Sequence, residues 1–547
     1  MSCAHAAAMP AMLSAAGAPP PPRPADYKCC DAYPNDAMFG CQEGLTPTNA
    51  TGALPDVVPF DSISGWPGDW VWQVAGEVIP HGVLLAEGNV PGLALLWPYI
   101  TAHMAFAAQA AADGDNGLLK FGPYSDWLST EPVSMSFAAN FYLVYGAGLA
   151  AEMASALGRP QEAAAYVALA DAKAAAMVAA LFSTTTGTWD KGGNMNAQSM
   201  ALAVGLGGAA TSGYAAQITA AMVADVAAHT NHPTGGVTSI RWILQGLTAA
   251  NRSDLALAMA LVPTSPSWAY MSTPDMPGTI WESWSGDATH SDGSKCHPMF
   301  SGGIGLWLYT SALGLSFRHV ASDTAADAAA DAAVSRRLLS PAESHLGFDP
   351  RFFGLSAAAT SAALDLAAEV RSGMLPPTMP ALLARAAALS VAASAPPPRL
   401  ESVCTAAPDA AVVRALGAAE GWREAPAGRC SARWALDAAS GAFELAVSLP
   451  SGALGRFALP LALLAGAPRV SVRLGGALLL EGIVNAAGGE LTTIAARSPA
   501  LEALPRAASA AEIEGNGRID FSAGSAKSGL LLEVSAPGEY VLRAERA

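Results

Sequence analysis

Residues 137–181 read FAANFYLVYGAGLAAEMASALGRPQEAAAYVALADAKAAAMVAAL, and this stretch decides the fold. From Phe137 to Leu157 apolar and aromatic residues recur at helical spacing. Gly158 and Pro160 then punctuate the chain, as a left-handed helix stop followed by a proline in the first turn of the next helix. Pro160 to Leu181 continues as a second helix, so the unit is a helical hairpin. Working outward, further helical stretches are expected at Ala197–Leu206, Tyr214–His229, Ser239–Leu247, Asp254–Leu261 and Gly302–Leu315. Between them lie loops rich in Gly, Pro, Trp and polar residues. Helical hairpins joined by chemically rich loops are the pattern of an α/α toroid, in which loops at one end build a cleft. Trp66, Trp70, Trp72, Trp127, Trp189, Trp268, Trp281 and Trp284 cluster in these loops. Tryptophan faces stack on the apolar C–H faces of sugars, although any one of them could equally anchor a loop.

The organisation predicted from the pattern is multidomain and mainly α. Residues 1–52 read as an irregular segment rich in Pro and Ala, and 53–318 as the toroid. Residues 319–400 read as an Ala-rich, weakly helical linker that ends near Ala395-Pro396-Pro397-Pro398. Residues 401–547 read as a C-terminal antiparallel β-sandwich. There Phe443–Val447 and Val470–Leu474 alternate in hydropathy, Leu530–Val534 and Tyr540–Leu542 close the domain, and Gly/Pro turns separate the strands.

The 547-residue chain carries 29 Lys plus Arg against 45 Asp plus Glu, a net charge of −16. With a pI near 4.9 it is unsuited to nucleic acid or an anionic membrane surface and compatible with a neutral substrate such as a sugar. Apolar residues make up 52% of the chain and mean hydropathy is +0.30, but much of this is alanine. The long uncharged runs, such as Gly88–Ala112, contain prolines, so no membrane span of about 20 apolar residues is expected. Seven cysteines show no paired metal-site spacing, and their odd number argues against a disulfide framework, with a local bridge among Cys29, Cys30 and Cys41 left open. No metal and no cofactor are expected.

The segment Gly278-Thr279-Ile280-Trp281-Glu282-Ser283-Trp284 carries the chemistry, followed by a polar loop to His297-Pro298-Met299-Phe300. A carboxylate between two tryptophans fits a catalytic base in a sugar cleft. An inverting glycosidase needs one carboxylate to activate water and an acid to protonate the leaving oxygen, about 6.5–9.5 Å apart. The plainer possibility is a loop glutamate that caps a helix or pairs with an arginine.

The same residues resemble the base motif of the α-L-rhamnosidase family, through Thr279-Ile280-Trp281-Glu282, then His297-Pro298-Met299-Phe300-Ser301-Gly302, then Gly305-Leu306-Trp307-Leu308-Tyr309. Other stretches resemble the family in its order: Gly52–Pro59, Gly117-Leu118-Leu119-Lys120 with Asp126-Trp127-Leu128, Gln198–Leu202, and Pro266-Ser267-Trp268-Ala269-Tyr270-Met271. Gly538-Glu539-Tyr540 is similar to its closing β-sandwich. The resemblance implies an (α/α)6 six-hairpin toroid and hydrolysis of terminal non-reducing α-L-rhamnose with inversion. It makes Glu282 the general base and Asp126, Trp127, Trp268 and His297 the sugar-contacting residues. The implied partner is a rhamnose-containing glycoside or polysaccharide. On residue type alone, Asp126 could instead cap the next turn, Trp268 could pack under the base loop, and His297 could be a core histidine.

The chain departs from the family upstream of Ala53. The family's general acid lies there in an Arg–Glu–Arg and Gly–Trp motif, whereas residues 1–52 hold Asp26, Asp31, Asp36 and Glu43 without either run. The toroid is therefore expected to be incomplete, lacking its first helices, and activity impaired, through a truncated start or a degenerate homologue. Two other classes stay open. One is a non-catalytic sugar-binding or scaffold protein. The other is a different toroid enzyme, such as a lyase, whose acidic substrate suits a −16 chain poorly.

Overall fold

The computed structural model describes residues 52–54, 68–120, 122, 124–190, 192–273, 279–284, 297–321, 357–389, 400–425, 427–464, 470–474, 477–484, 491–496, 530–534 and 537–546. The expectations for residues 1–51, Pro55–Pro59, Trp66, Gly278 and 285–296 lie outside them.

The hairpin that the sequence marks is present. Helix α3 (Met135–Ala156) begins two residues before the apolar run, because Ser134 caps it by accepting from the Phe137 N–H at 3.1 Å. Gly158, with φ of 68°, reverses the chain, and α4 (Pro160–Leu181) starts on its proline. Ala163, Ala164, Ala165, Ala168, Ala170 and Ala174 of α4 are all fully buried. Their small side chains let neighbouring helices approach closely, so the alanine excess becomes core. Before this hairpin come α1 (Ala75–Glu87) and α2 (Val90–Ala112), divided by Gly88 and by Asn89, whose side chain accepts from the Gly92 N–H. After it come α5 (Met195–Val204), α6 (Ala215–Ala228), α7 (Ile240–Ala249), α8 (Ser253–Ala260) and α9 (Pro298–Trp307). Helix α9 starts earlier than the expected Gly302 because Pro298 occupies its first turn, and it runs into a π turn at Leu308–Ala312.

Connections within the pairs α1–α2, α3–α4 and α7–α8 are two or three residues long, that within α5–α6 spans 205–214, and those between pairs are longer still. The long loops 113–134, 182–194, 229–239 and 261–297 precede α3, α5, α7 and α9, so they gather at one end of the helical body. Helices α2 and α4, at 23 and 22 residues, are long and apolar enough to cross a bilayer, contrary to the sequence expectation, since Pro98 sits inside α2 without ending it. Much of α4 is nevertheless buried within the helical body.

The Ala-rich region contains two helices, α10 (Ala357–Arg371) and α11 (Met379–Ala388), which pack back on the helical body. Leu366, Met379, Leu382 and Ala386 join the core of α2, α3 and α4. Arg371 pairs with Asp171 of α4, and Arg385 binds both Glu369 oxygens, at 3.0 and 2.8 Å. Two short strands, β1 (Phe182–Ser183) and β2 (Thr188–Trp189), pair within loop 182–194, and the main sheet region begins before α10 and α11, with β3 (Leu315–Ala321), so the expected boundary at 318 falls inside a strand.

Strand β3 pairs with β4 (Leu400–Ala406), which pairs in turn with β8 (Ala453–Leu459) and, through it, β12 (Leu530–Val534). The second sheet orders β11 (Leu491–Ala496), β10 (Ala477–Val484), β9 (Val470–Leu474), β13 (Gly538–Arg546), β7 (Phe443–Leu449), β6 (Gly428–Leu436) and β5 (Ala418–Ala425). Among the described residues, pairing is antiparallel except between β4 and β8. Strand β7 alternates buried and half-buried residues along its length, as its hydropathy predicts. The sheets share a core of Phe317, Trp434, Phe443 and Phe457. Cys404 of β4 and Cys430 of β6 form a disulfide there, a single long-range pairing different from the local bridge among Cys29, Cys30 and Cys41 that the sequence left open.

Leu366 is fully buried. Leu366→Ala is expected to destabilise the helical body by about 2–5 kcal/mol in denaturant titration. A change near zero would mean that α10 is only an appended linker.

Candidate active site

Two of the long loops, 113–134 and 229–239, are stitched together by their own backbones. Thr130 N–H donates to the Thr234 carbonyl at 3.0 Å, and Val237 N–H donates to the Trp127 carbonyl at 2.8 Å. Gly236 fits beneath the first of these loops because a Cβ there would overlap the Trp127 carbonyl. Asp126 makes the strongest cross-link. One oxygen accepts from the Thr238 and Ser239 N–H groups, both at 3.0 Å, and the other from the Ser239 hydroxyl at 2.6 Å. Those N–H groups lie just ahead of α7, where a helix offers unmatched donors. Burial lifts the Asp126 carboxyl above the usual carboxylate range, against the pull of its hydrogen bonds. Asp126 is 2% exposed.

From loop 229–239 the network passes to the loop that carries Glu282. Trp284 Nε1 donates to the Gly235 carbonyl at 2.6 Å, and Ser265 donates to the Trp284 carbonyl at 3.2 Å. The His297 N–H donates to the Ile280 carbonyl at 2.9 Å and ties the base loop to the start of α9. Trp268 donates from Nε1 to the Phe300 carbonyl at 2.9 Å and stands edge-on to Trp284.

Glu282 is half-buried between the buried Trp281 and Ser283. Burial holds His297 below the ordinary imidazole range, while the Glu282 charge pulls the other way. The structure thus brings Glu282 and His297 into electrostatic reach across the segment between 284 and 297. Thr279 Oγ1, Trp281 Nε1 and His297 Nδ1 are buried with no hydrogen-bond partner among the described residues. They lie on the same loop as Glu282 and at the start of α9, and buried polar atoms of this kind call for a partner.

The other sequence-marked residues fall into two groups. Trp127 is half-buried and continues a row with Tyr124 and Trp72, whose ring centroids lie 5.6 and 4.8 Å apart along it. Both tryptophans pack on the cluster that contains Trp281 and Trp284. By contrast Trp70, Trp189, Trp268, Trp281 and Trp284 are buried, and Trp268 is 1% exposed. Asp126 and Trp268 therefore lie inside the protein, engaged with the backbone. Tyr124 and Tyr270, which the sequence reading passed over, are half-buried around the same loops, and Tyr270 stands edge-on to Trp281. The position of Tyr124 two residues before Asp126 was the only signal for it.

The His297–Glu282 coupling has a direct readout. In NMR titration, His297 is expected to titrate below 6.5, and Glu282→Gln is expected to lower its midpoint further by removing the charge that raises it. An unchanged midpoint would separate the two groups.

Residues 42–312 match the family described as the bacterial alpha-L-rhamnosidase 6 hairpin glycosidase domain. Among solved structures, the alpha-L-rhamnosidase from Dictyoglumus thermophilum is similar with a TM-score of 0.56 and 14% identity, covering 88% of this chain and 40% of that one. The Streptomyces avermitilis alpha-L-rhamnosidase complexed with L-rhamnose gives 0.51 and 18%, covering 86% and 33%. The Aspergillus terreus alpha-L-rhamnosidase gives 0.50 and 16%, covering 76% and 39%. No curated protein sequence matches. At these identities the structural likeness is one of fold, and the chain spans two fifths or less of the length of each of these enzymes. The family match over the helical domain, the ordered motifs and the shared fold agree: the chain belongs to the α-L-rhamnosidase family of six-hairpin glycosidases.

Proposed function

We propose that the cleft binds a terminal, non-reducing α-L-rhamnosyl residue and hydrolyses its glycosidic bond with inversion, Glu282 acting as general base. The observation that carries this reading is the half-buried Glu282, within electrostatic reach of His297 on a loop that also holds the buried, unpartnered Thr279 Oγ1 and Trp281 Nε1. In the proposed reaction Glu282 takes a proton from water as the water oxygen attacks the anomeric carbon. The bond from that carbon to the aglycone oxygen breaks on the opposite face, and an acid supplies the proton to the departing oxygen. L-Rhamnose has a C6 methyl and three ring hydroxyls. The half-buried Trp72, Tyr124 and Trp127 offer an apolar wall for the former, and His297 a hydrogen-bonding partner for the latter. Held below its ordinary range, His297 is neutral near pH 7, so it can donate from one nitrogen and accept at the other. Asp126 and Trp268 act in this scheme as positioning residues that fix the loops.

The L-rhamnose complex of the Streptomyces avermitilis enzyme supports rhamnose-containing glycosides or polysaccharides as the substrate class. Slow turnover by this chain is proposed because residues 1–52 contain neither an Arg–Glu–Arg nor a Gly–Trp run to supply the acid. The test is release of p-nitrophenol from p-nitrophenyl α-L-rhamnoside by the chain and by Glu282→Gln. A slow rate that falls about 10²–10⁴-fold on substitution is expected for loss of a general base. Equal rates in both would remove Glu282 from the mechanism. L-Rhamnose binding without turnover in either would favour a sugar-binding homologue.

A further inference from the structure

Arg241 is the second residue of α7, directly behind loop 229–239. It is half-buried, and no carboxylate among the described residues pairs with it. Its Nη2 donates to the Tyr145 hydroxyl on α3 at 3.0 Å. The guanidinium lies over the rings of Trp242 and Tyr145, 4.8 and 5.5 Å from their centroids. These contacts hold the group in place but leave its charge standing, because neither a ring nor a hydroxyl carries net negative charge. The Arg241 Nε–H is buried with no hydrogen-bond partner among the described residues. The same is true of the Gln245 amide at Nε2, one turn further along α7. Two buried donors in this state need an acceptor.

Helix geometry puts both donors on one open stripe. Ile240, Ile243, Leu244 and Leu247 of α7 are buried in the cluster that contains Trp281, Trp284 and Phe300. Gly246 lies against Ser199 of α5, and Trp242 packs towards α3. Arg241, Gln245 and Ala249 are the three residues of α7 that are not buried, and their spacing of four places them on a single face. Gly303 of α9 packs on the Arg241 backbone, where a Cβ would come within 3.0 Å of its Cα. Gly302 and Gly305 of the same helix meet open space, so room is left beside that contact.

We propose that Arg241, with Gln245 beside it, binds a carboxylate on the open face of α7, and that this carboxylate belongs to an acidic sugar unit of the glycoside.

A water or a sugar hydroxyl can accept from a buried N–H, but it leaves the guanidinium charge unopposed. A carboxylate does both, and its two oxygens match the planar fork of an arginine. The Gln245 amide offers one more N–H to the same group. The nearby Asp126 carboxylate is not that partner, since the Thr238 and Ser239 N–H groups and the Ser239 hydroxyl already engage its oxygens. The chain has a net charge of −16, yet none of the described carboxylates reaches this arginine. The cation is therefore open to an acid from outside. That the acid is a sugar rests on the glycoside reading above, whereas the carboxylate itself does not.

The test is thermal unfolding of the full chain with sodium D-glucuronate or D-glucose at matched ionic strength, beside Arg241→Gln and Gln245→Leu. Glucuronate is expected to raise the Tm of the wild type by several degrees, and glucose is not. With native circular dichroism as the check on folding, Arg241→Gln should lose the glucuronate shift and Gln245→Leu should show a smaller one. No difference between glucuronate and glucose in the wild type, or an undiminished glucuronate shift in either folded variant, would overturn the proposal. None of these readouts depends on rhamnoside hydrolysis, and Glu282→Gln leaves Arg241 in place, so the two proposals fail separately.

Discussion

The cleft end of this protein depends on one buried carboxylate. Asp126 is enclosed, so its oxygens need partners, and it finds them in two backbone N–H groups and a hydroxyl at the start of α7. That grip sets loop 113–134 against loop 229–239. The contact is close enough that position 236 has to be glycine. From there Gly235 holds Trp284, and Trp284 stands two residues from Glu282. A side chain with the look of a sugar ligand thus acts as the keystone of the base loop. Its raised carboxyl shows that burial outweighs even these hydrogen bonds.

The scaffold behind the loops owes its form to alanine. Helix α4 buries a row of alanines, and the helices around it, including α10 and α11 from much later in the chain, close onto that smooth surface. Charged groups among them are few, and some lie inside: the buried Asp171 pairs with Arg371 and Glu77 with His103, while Arg385 and Glu369 pair nearer the surface. High mean hydropathy therefore reflects a tightly packed helical body as well as its two long apolar helices.

Much of this was legible in the sequence where the cause is local. Gly158 and Pro160 fixed the hairpin because backbone conformation is read from those residue types alone. Alternation marked β7, and the run Thr279 to Glu282 followed by His297 identified the family and the candidate base. What escaped is set by tertiary neighbours. A loop tryptophan gives no sign of which side it presents, so Trp127 and Trp268 looked equivalent although only Trp127 reaches the surface. Asp126 had two readings that only the position of α7 could separate. Residues 319–400 read as a linker because their partner surface lies on α4. Cys404 and Cys430 meet across two sheets, 26 residues apart in sequence, and Glu131 meets His229 only through the fold.

The most direct test of this scheme is the unfolding free energy of Asp126→Ala beside Asp126→Asn. Alanine strands two buried N–H groups and a hydroxyl, each worth about 1–3 kcal/mol, so a loss of roughly 3 kcal/mol or more is expected. Asparagine keeps an acceptor for both N–H groups and should cost distinctly less. Equal losses in the two variants, or no loss in either, would contradict the claim that this carboxylate holds the cleft together.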